Sequence, residues 1–197
     1  MVLAHHVIIT AYGFWLPNDQ RGSWSDFVRR WELLQFGPAT KVATTRSVAN
    51  RRFDGAVRNA AREALTYRPV IFDGQQALRI ANGFADGVKR SGYVIHACCI
   101  LPDHVHLIIR RHVYRIEQVA NRLKGSATRF LTDTEMHPMQ DQIPAGGALP
   151  SPWGVGLWKV FLDSPEDIRR AIAYVEANPA KAGKKTQHWS FVVPYAV

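Results

Sequence analysis

The chain has 197 residues, 47% hydrophobic and 11% aromatic, which excludes global disorder and leaves enough apolar surface for one domain with a real core. Its 25 Lys and Arg outnumber 16 Asp and Glu. The resulting net charge of +9 favours polyanions, nucleic acid before anionic membrane.

The N-terminal "MVLAHHVIITAYGFW" lacks a basic leader and a small-residue cleavage site, and no apolar run approaches the ~20 residues that span a bilayer. A soluble cytoplasmic protein is expected. β-Branched and aromatic residues make a first strand over residues 6–14, broken by the turn-rich "LPNDQRGSW". "SDFVRRWELLQFG" reads as a short helix with Ser25 as its cap, stopped by Gly37-Pro38. The polar stretch near 38–54 has no period and is expected to be an irregular surface insertion. "GAVRNAAREALTY" and "GQQALRIANGFADGVKRSG" carry helical apolar spacing, the second ending at Gly92.

"YVIHACCI" and "HVHLIIRR" follow as strands joined through Leu101-Pro102-Asp103, the simplest reading of which is a hairpin. Cys98 and Cys99 are adjacent, form no CxxC pair, and read as small core residues of a reducing compartment. A long helix is expected over 114–133, with Ile116, Val119, Ala120, Leu123, Ala127, Phe130 and Leu131 as its stripe. Residues 132–156 show no periodicity and are expected to form a long loop. "LWKVFLD" is a fourth strand. Ser164-Pro165-Glu166-Asp167 starts a helix expected to end near Asn178-Pro179. The basic turn "AKAGKK" and the extended "HWSFVVPY" close the chain. The order predicts one α+β domain over residues 1–197, a ferredoxin-like sandwich with a mainly antiparallel sheet and helices packed on one face.

Residues two apart on a strand share a face, so His104 and His106 project together while Val105 and Leu107 point into the core. Two imidazoles so placed can hold one divalent cation, zinc or nickel as readily as any other, although an isolated His-x-His more often holds none. Tyr174 and Asn178, four apart, share a helix face, and Asn178 offers an oxygen as a third ligand. A tyrosine on such a helix is more often a boundary aromatic. His5, His6, His96, His112, His137 and His188 show no paired spacing on a common face and receive no role.

Taken together, "LPDHVHLII", a basic helix with "RLKG", the strand "LWKVF" and "AYVEANPAKAG" resemble the HUH-type single-tyrosine transposases, in particular the REP-associated tyrosine transposases, over residues 90–185. Ala180 and Lys184 stand where bulkier apolar residues are common in that family, and segments 15–60 and 132–156 match nothing assignable. The resemblance implies a metal-dependent single-stranded DNA endonuclease and strand transferase. His104, His106 and Asn178 would hold Mg²⁺ or Mn²⁺, which would act as a Lewis acid on the scissile phosphate. Tyr174 would be the nucleophile, giving a 5′-phosphotyrosine and a free 3′-hydroxyl. Phenols ionise only near pH ~10, so such chemistry needs a neighbouring cation.

On the same resemblance, Arg110, Arg111, Arg115, Arg122, Lys124, Arg129 and Lys181 would contact phosphates, and Trp15 and Trp24 would stack on bases. The implied partner is single-stranded or hairpin DNA, with a monomer favoured over a homodimer. A non-catalytic hairpin DNA- or RNA-binding protein of the same fold is the alternative. A metal hydrolase without a tyrosine nucleophile is a third.

Overall fold

Four segments pair into a single sheet, and the two rich in β-branched residues, the first and the third, lie at its centre. In the computed structural model, which describes residues 1–17, 28, 31–37, 55–143 and 146–196, the strands are β1 (Ala4–Thr10), β2 (Ile95–Ile100), β3 (His104–Arg110) and β4 (Trp158–Leu162). They lie in the order β2-β3-β1-β4, with every neighbouring pair antiparallel. β1 ends at Thr10 rather than at residue 14, because Gly13, at φ 79°, turns the chain against Pro69. A Cβ at Gly13 would come within 2.9 Å of the Pro69 side chain, so only glycine fits that turn.

Helices α1 (Gly55–Glu63), α2 (Gly74–Ser91), α3 (Ile116–Asp133) and α4 (Pro165–Lys181) complete the fold. Asp73 and Gln76 form a capping box at the start of α2, and Gly92, at φ 68°, closes its end in the left-handed conformation. The helix expected before Gly37 is, where described, a 3-10 turn at Trp31–Phe36. The insertion near 38–54 lies outside the described residues.

The expected α+β antiparallel sandwich is present, with its helices divided between the two faces rather than gathered on one. Val7, Ile9, Val105, Leu107 and Ile109 face Ile80 and Phe84 of α2 and Val119, Leu123 and Ala127 of α3. Ala4, Ala97, Cys99, Ile108 and Leu162 on the other face are covered by Ile168 and Val175 of α4. The reason is legible in β2, which is buried at every residue and therefore needs cover on both sides. Each large apolar side chain so buried contributes about 1.5–3 kcal/mol.

One further expectation is corrected, and one is made more specific. α4 runs through Pro179 to Lys181 instead of ending near residue 177. Proline forfeits one helical hydrogen bond, but Asn178 and Pro179 are both buried, and the chain turns off only at Gly183, where φ is 65°. The loop expected over 132–156 is, where described, anchored: it buries Met139 and Trp153 in the main core and holds a 3-10 turn at Gln140–Gln142. The terminal extended segment follows β2, with Val193 N–H donating to the Ile95 carbonyl at 2.9 Å.

Candidate active site

The face of the sheet covered by α4 carries the even-numbered residues of β1 and β3. These are the two central strands, so their side chains sit where the backbone is most constrained. The register pairs Thr10 with His104 and Ile8 with His106, which brings His6 diagonally next to His106. Three imidazoles thus form one row. His6 Nε2 lies 2.9 Å from His106 Nδ1, and His106 Nε2 lies 3.0 Å from His104 Nε2. At the far end, His104 Nδ1 lies 2.7 Å from a carboxylate oxygen of Asp103, and the His104 side chain keeps 21% of its surface exposed.

α4 lays Tyr174 over this row. The Tyr174 ring centroid is 5.8 Å from that of His6 and 5.7 Å from that of His106, both edge-on, and the tyrosine is 48% exposed. Its position follows from the helix: Val175 and Ile168 dock in the core, which leaves Tyr174 at the seam between helix and sheet. The Lys181 ammonium sits 4.8 Å from the Tyr174 ring centroid. Asn178, one turn on from Tyr174, is 7% exposed, and its side-chain Nδ2 is buried with no hydrogen-bond partner.

Burial pushes His6 down to about 4, and burial together with the flanking His104 and His6 pushes His106 down to about 2. Both rings are therefore neutral at pH 7, the form in which imidazole ligates a metal. Two atoms about 2.1 Å from one octahedral ion and at right angles about it sit about 3.0 Å apart. The His104–His106 Nε2 separation has that value. The two imidazole nitrogens therefore fit a divalent cation, and Asn178, one turn along α4 from Tyr174, carries the amide oxygen expected as a third donor. Among the described residues, no group of three or more His, Cys, Asp and Glu forms a metal set.

Of the expected nucleic-acid contacts, Lys181 stands at the tyrosine. Arg110, Arg111, Arg115 and Arg122 are exposed on β3 and the elements after it. Arg111 and Arg115 line a cavity of about 640 Å³ with His5, Lys159 and Phe161, on the face of the sheet opposite the imidazole row. Arg122 lies over the Tyr114 ring at 4.3 Å, and Arg129 pairs with Asp86 at 2.5 Å. Lys124 corrects its expectation. It is 8% exposed, and its ammonium donates to the carbonyls of Gly154 and Gly156 at 2.9 and 2.6 Å, so it fastens the segment before β4 and does not face solvent. Burial lowers it to about 8. Trp15 stacks on Trp158 at 6.1 Å, and Phe14 lies 5.0 Å from His104. Trp24 lies outside the described residues.

Sequence reasoning missed His6 and Trp158. Strand alternation places both on the even face, but the register that brings them to the site is a property of pairing, which spacing along one strand does not contain.

Among known proteins, the family model described as "Transposase IS200 like" matches residues 64–149. The solved structure of a REP-associated tyrosine transposase bound to a REP hairpin is 14% identical, with 96% of this chain and 74% of that chain covered at a TM-score of 0.48. A structure from Deinococcus radiodurans R1, assigned as a transposase, is 13% identical, with 89% and 90% covered at a TM-score of 0.41. No curated protein matches the chain.

Proposed function

We propose, from the premise that this chain is a relative of the IS200-like transposases, that it is a metal-dependent single-stranded DNA nuclease and strand transferase with Tyr174 as its nucleophile. The observation that carries the reading is the half-exposed Tyr174 ring set edge-on to two imidazoles of the row, its centroid 5.7 Å from that of His106 and 5.8 Å from that of His6.

His104, His106 and Asn178 would hold the cation, Mg²⁺ or Mn²⁺. When bound, it supplies Lewis-acid charge to the scissile phosphate and lowers the cost of ionising a nearby phenol. The Tyr174 oxygen attacks phosphorus, a tyrosine O–P bond forms, and the bond from phosphorus to the 3′-oxygen breaks. The departing oxygen takes up a proton and the phenol gives one up. The phosphotyrosine keeps the bond energy, so a second 3′-hydroxyl reverses the step without ATP. The Lys181 ammonium brings positive charge to the same point and opposes the build-up of charge on phosphate. Phe14, Trp15 and Trp158 extend from His104 toward the β4 edge and offer stacking faces for unpaired bases. Arg110, on the even face of β3 with the imidazoles, would hold the backbone beyond, whereas Arg111, Arg115 and Arg122 belong to the opposite face and would meet DNA only where it passes around the sheet. The nucleophile and the imidazoles belong to one chain, which favours a monomer.

The test is incubation with hairpin-bearing single strands and Mn²⁺, followed by denaturing electrophoresis. The wild type forms an adduct that survives denaturant, and Tyr174→Phe forms none while still shifting the DNA on a native gel. Binding without an adduct in the wild type would make the chain a hairpin binder. Cleavage retained in Tyr174→Phe would make it a hydrolase.

A further inference from the structure

His6 was given no role by its sequence context, yet it closes the imidazole row at the end away from Asp103, against the buried His106. The hydrogen-bond chemistry of the row is constrained from the other end. A carboxylate only accepts, so Asp103 holds a proton of His104 on Nδ1, and in the neutral ring, the form that can ligate, His104 Nε2 is a lone pair. The 3.0 Å contact to His106 Nε2 is then satisfied when His106 carries its proton on Nε2, and His6 Nε2–H donates to His106 Nδ1 at 2.9 Å. Every nitrogen between His6 and Asp103 is paired in that state. Ligation of one cation through both Nε2 atoms requires the opposite tautomer of His106, with its proton on Nδ1. That proton needs an acceptor in a buried site, and His6 Nε2 is in place to be it.

We infer that His6 is a positioning residue for the metal site, a partner that donates to His106 in the free protein and accepts from it when the cation is held. His6 reverses its own tautomer in step, moving its proton from Nε2 to Nδ1 as His106 does the same, with no net gain or loss of protons. A single aliphatic or aromatic side chain at residue 6 serves neither state. Glutamine, whose carboxamide both donates and accepts, serves both.

This inference rests on the metal reading of the site, and its test separates the two. Long-range ¹H–¹⁵N spectra of the wild-type histidines are expected to show His106 protonated on Nε2 without metal and on Nδ1 with saturating Mg²⁺. Calorimetric titration with Mn²⁺ is expected to show His6→Phe binding 10–100-fold more weakly than wild type, and His6→Gln within a few-fold of it. An unchanged His106 tautomer overturns the inference, as does unweakened Mn²⁺ binding in His6→Phe. Loss in His6→Phe as complete as in His106→Ala also overturns it, since His6 would then be a ligand itself. If His6→Phe does not fold, the wild-type spectra and His6→Gln decide. A wild type that binds neither cation overturns the metal reading as well.

Discussion

At the residue scale, His106 combines two demands that ordinarily conflict, since it is 4% exposed yet polar on both ring nitrogens. Its partners resolve the conflict only while the ring is neutral, and the same holds for His6. Their depressed values set a pH dependence of stability with a definite sign. Above pH 6.5 both rings are neutral in the folded and the unfolded chain, and neither contributes to a slope. Below 6.5 the unfolded chain takes up protons that the folded chain refuses until about 4 at His6 and about 2 at His106. Stability therefore falls as pH falls through that window, by on the order of 3 kcal/mol for the two rings together between pH 6.5 and 5. Urea unfolding with a chelator present should show a lower midpoint at pH 5 than at pH 7 in the wild type, with about half of the drop removed in His6→Gln. A midpoint that does not move would mean the rings are not held neutral.

At the element scale, the contact between α2 and α3 depends on one residue without a side chain. A Cβ on Gly83 would lie 2.5 Å from Ala127 Cα and 2.7 Å from its nitrogen, both backbone atoms that cannot rotate away. Gly83→Ala should force the helices apart and cost about 1–3 kcal/mol, despite the better helix propensity of alanine. Thermal unfolding checks this: a melting temperature at or above that of the wild type would show that the two helices are free to separate. What the sequence disclosed at this scale follows from local rules. The paired projection of His104 and His106 needs only the two-residue period, and the start of α4 needs only Ser164, Pro165 and the two acids after them. The unread features depend on what lies across the fold. Lys124 looks like any basic residue on a helix until the carbonyls of Gly154 and Gly156 close over it. Asn178-Pro179 looks like a helix stop until both are buried.

At the scale of the whole molecule, the charge is divided as the layers are. Lys181 stands at the tyrosine, whereas Arg111, Arg115 and Lys159 gather about the cavity on the opposite face. No described helix is long and apolar enough to cross a membrane. The outer side of β2 is closed by the chain itself: the Gln187 carboxamide both accepts from Ile100 N–H and donates to Ile100 C=O at 2.8 Å, mimicking a strand neighbour, and Val193 meets Ile95. Open β edges recruit other molecules, so this clasp bears on colloidal behaviour. Gln187→Ala should stay folded but scatter more light as its concentration rises, through edge-to-edge association of β2. Scattering indistinguishable from the parent protein would show that Val193 guards the edge without help.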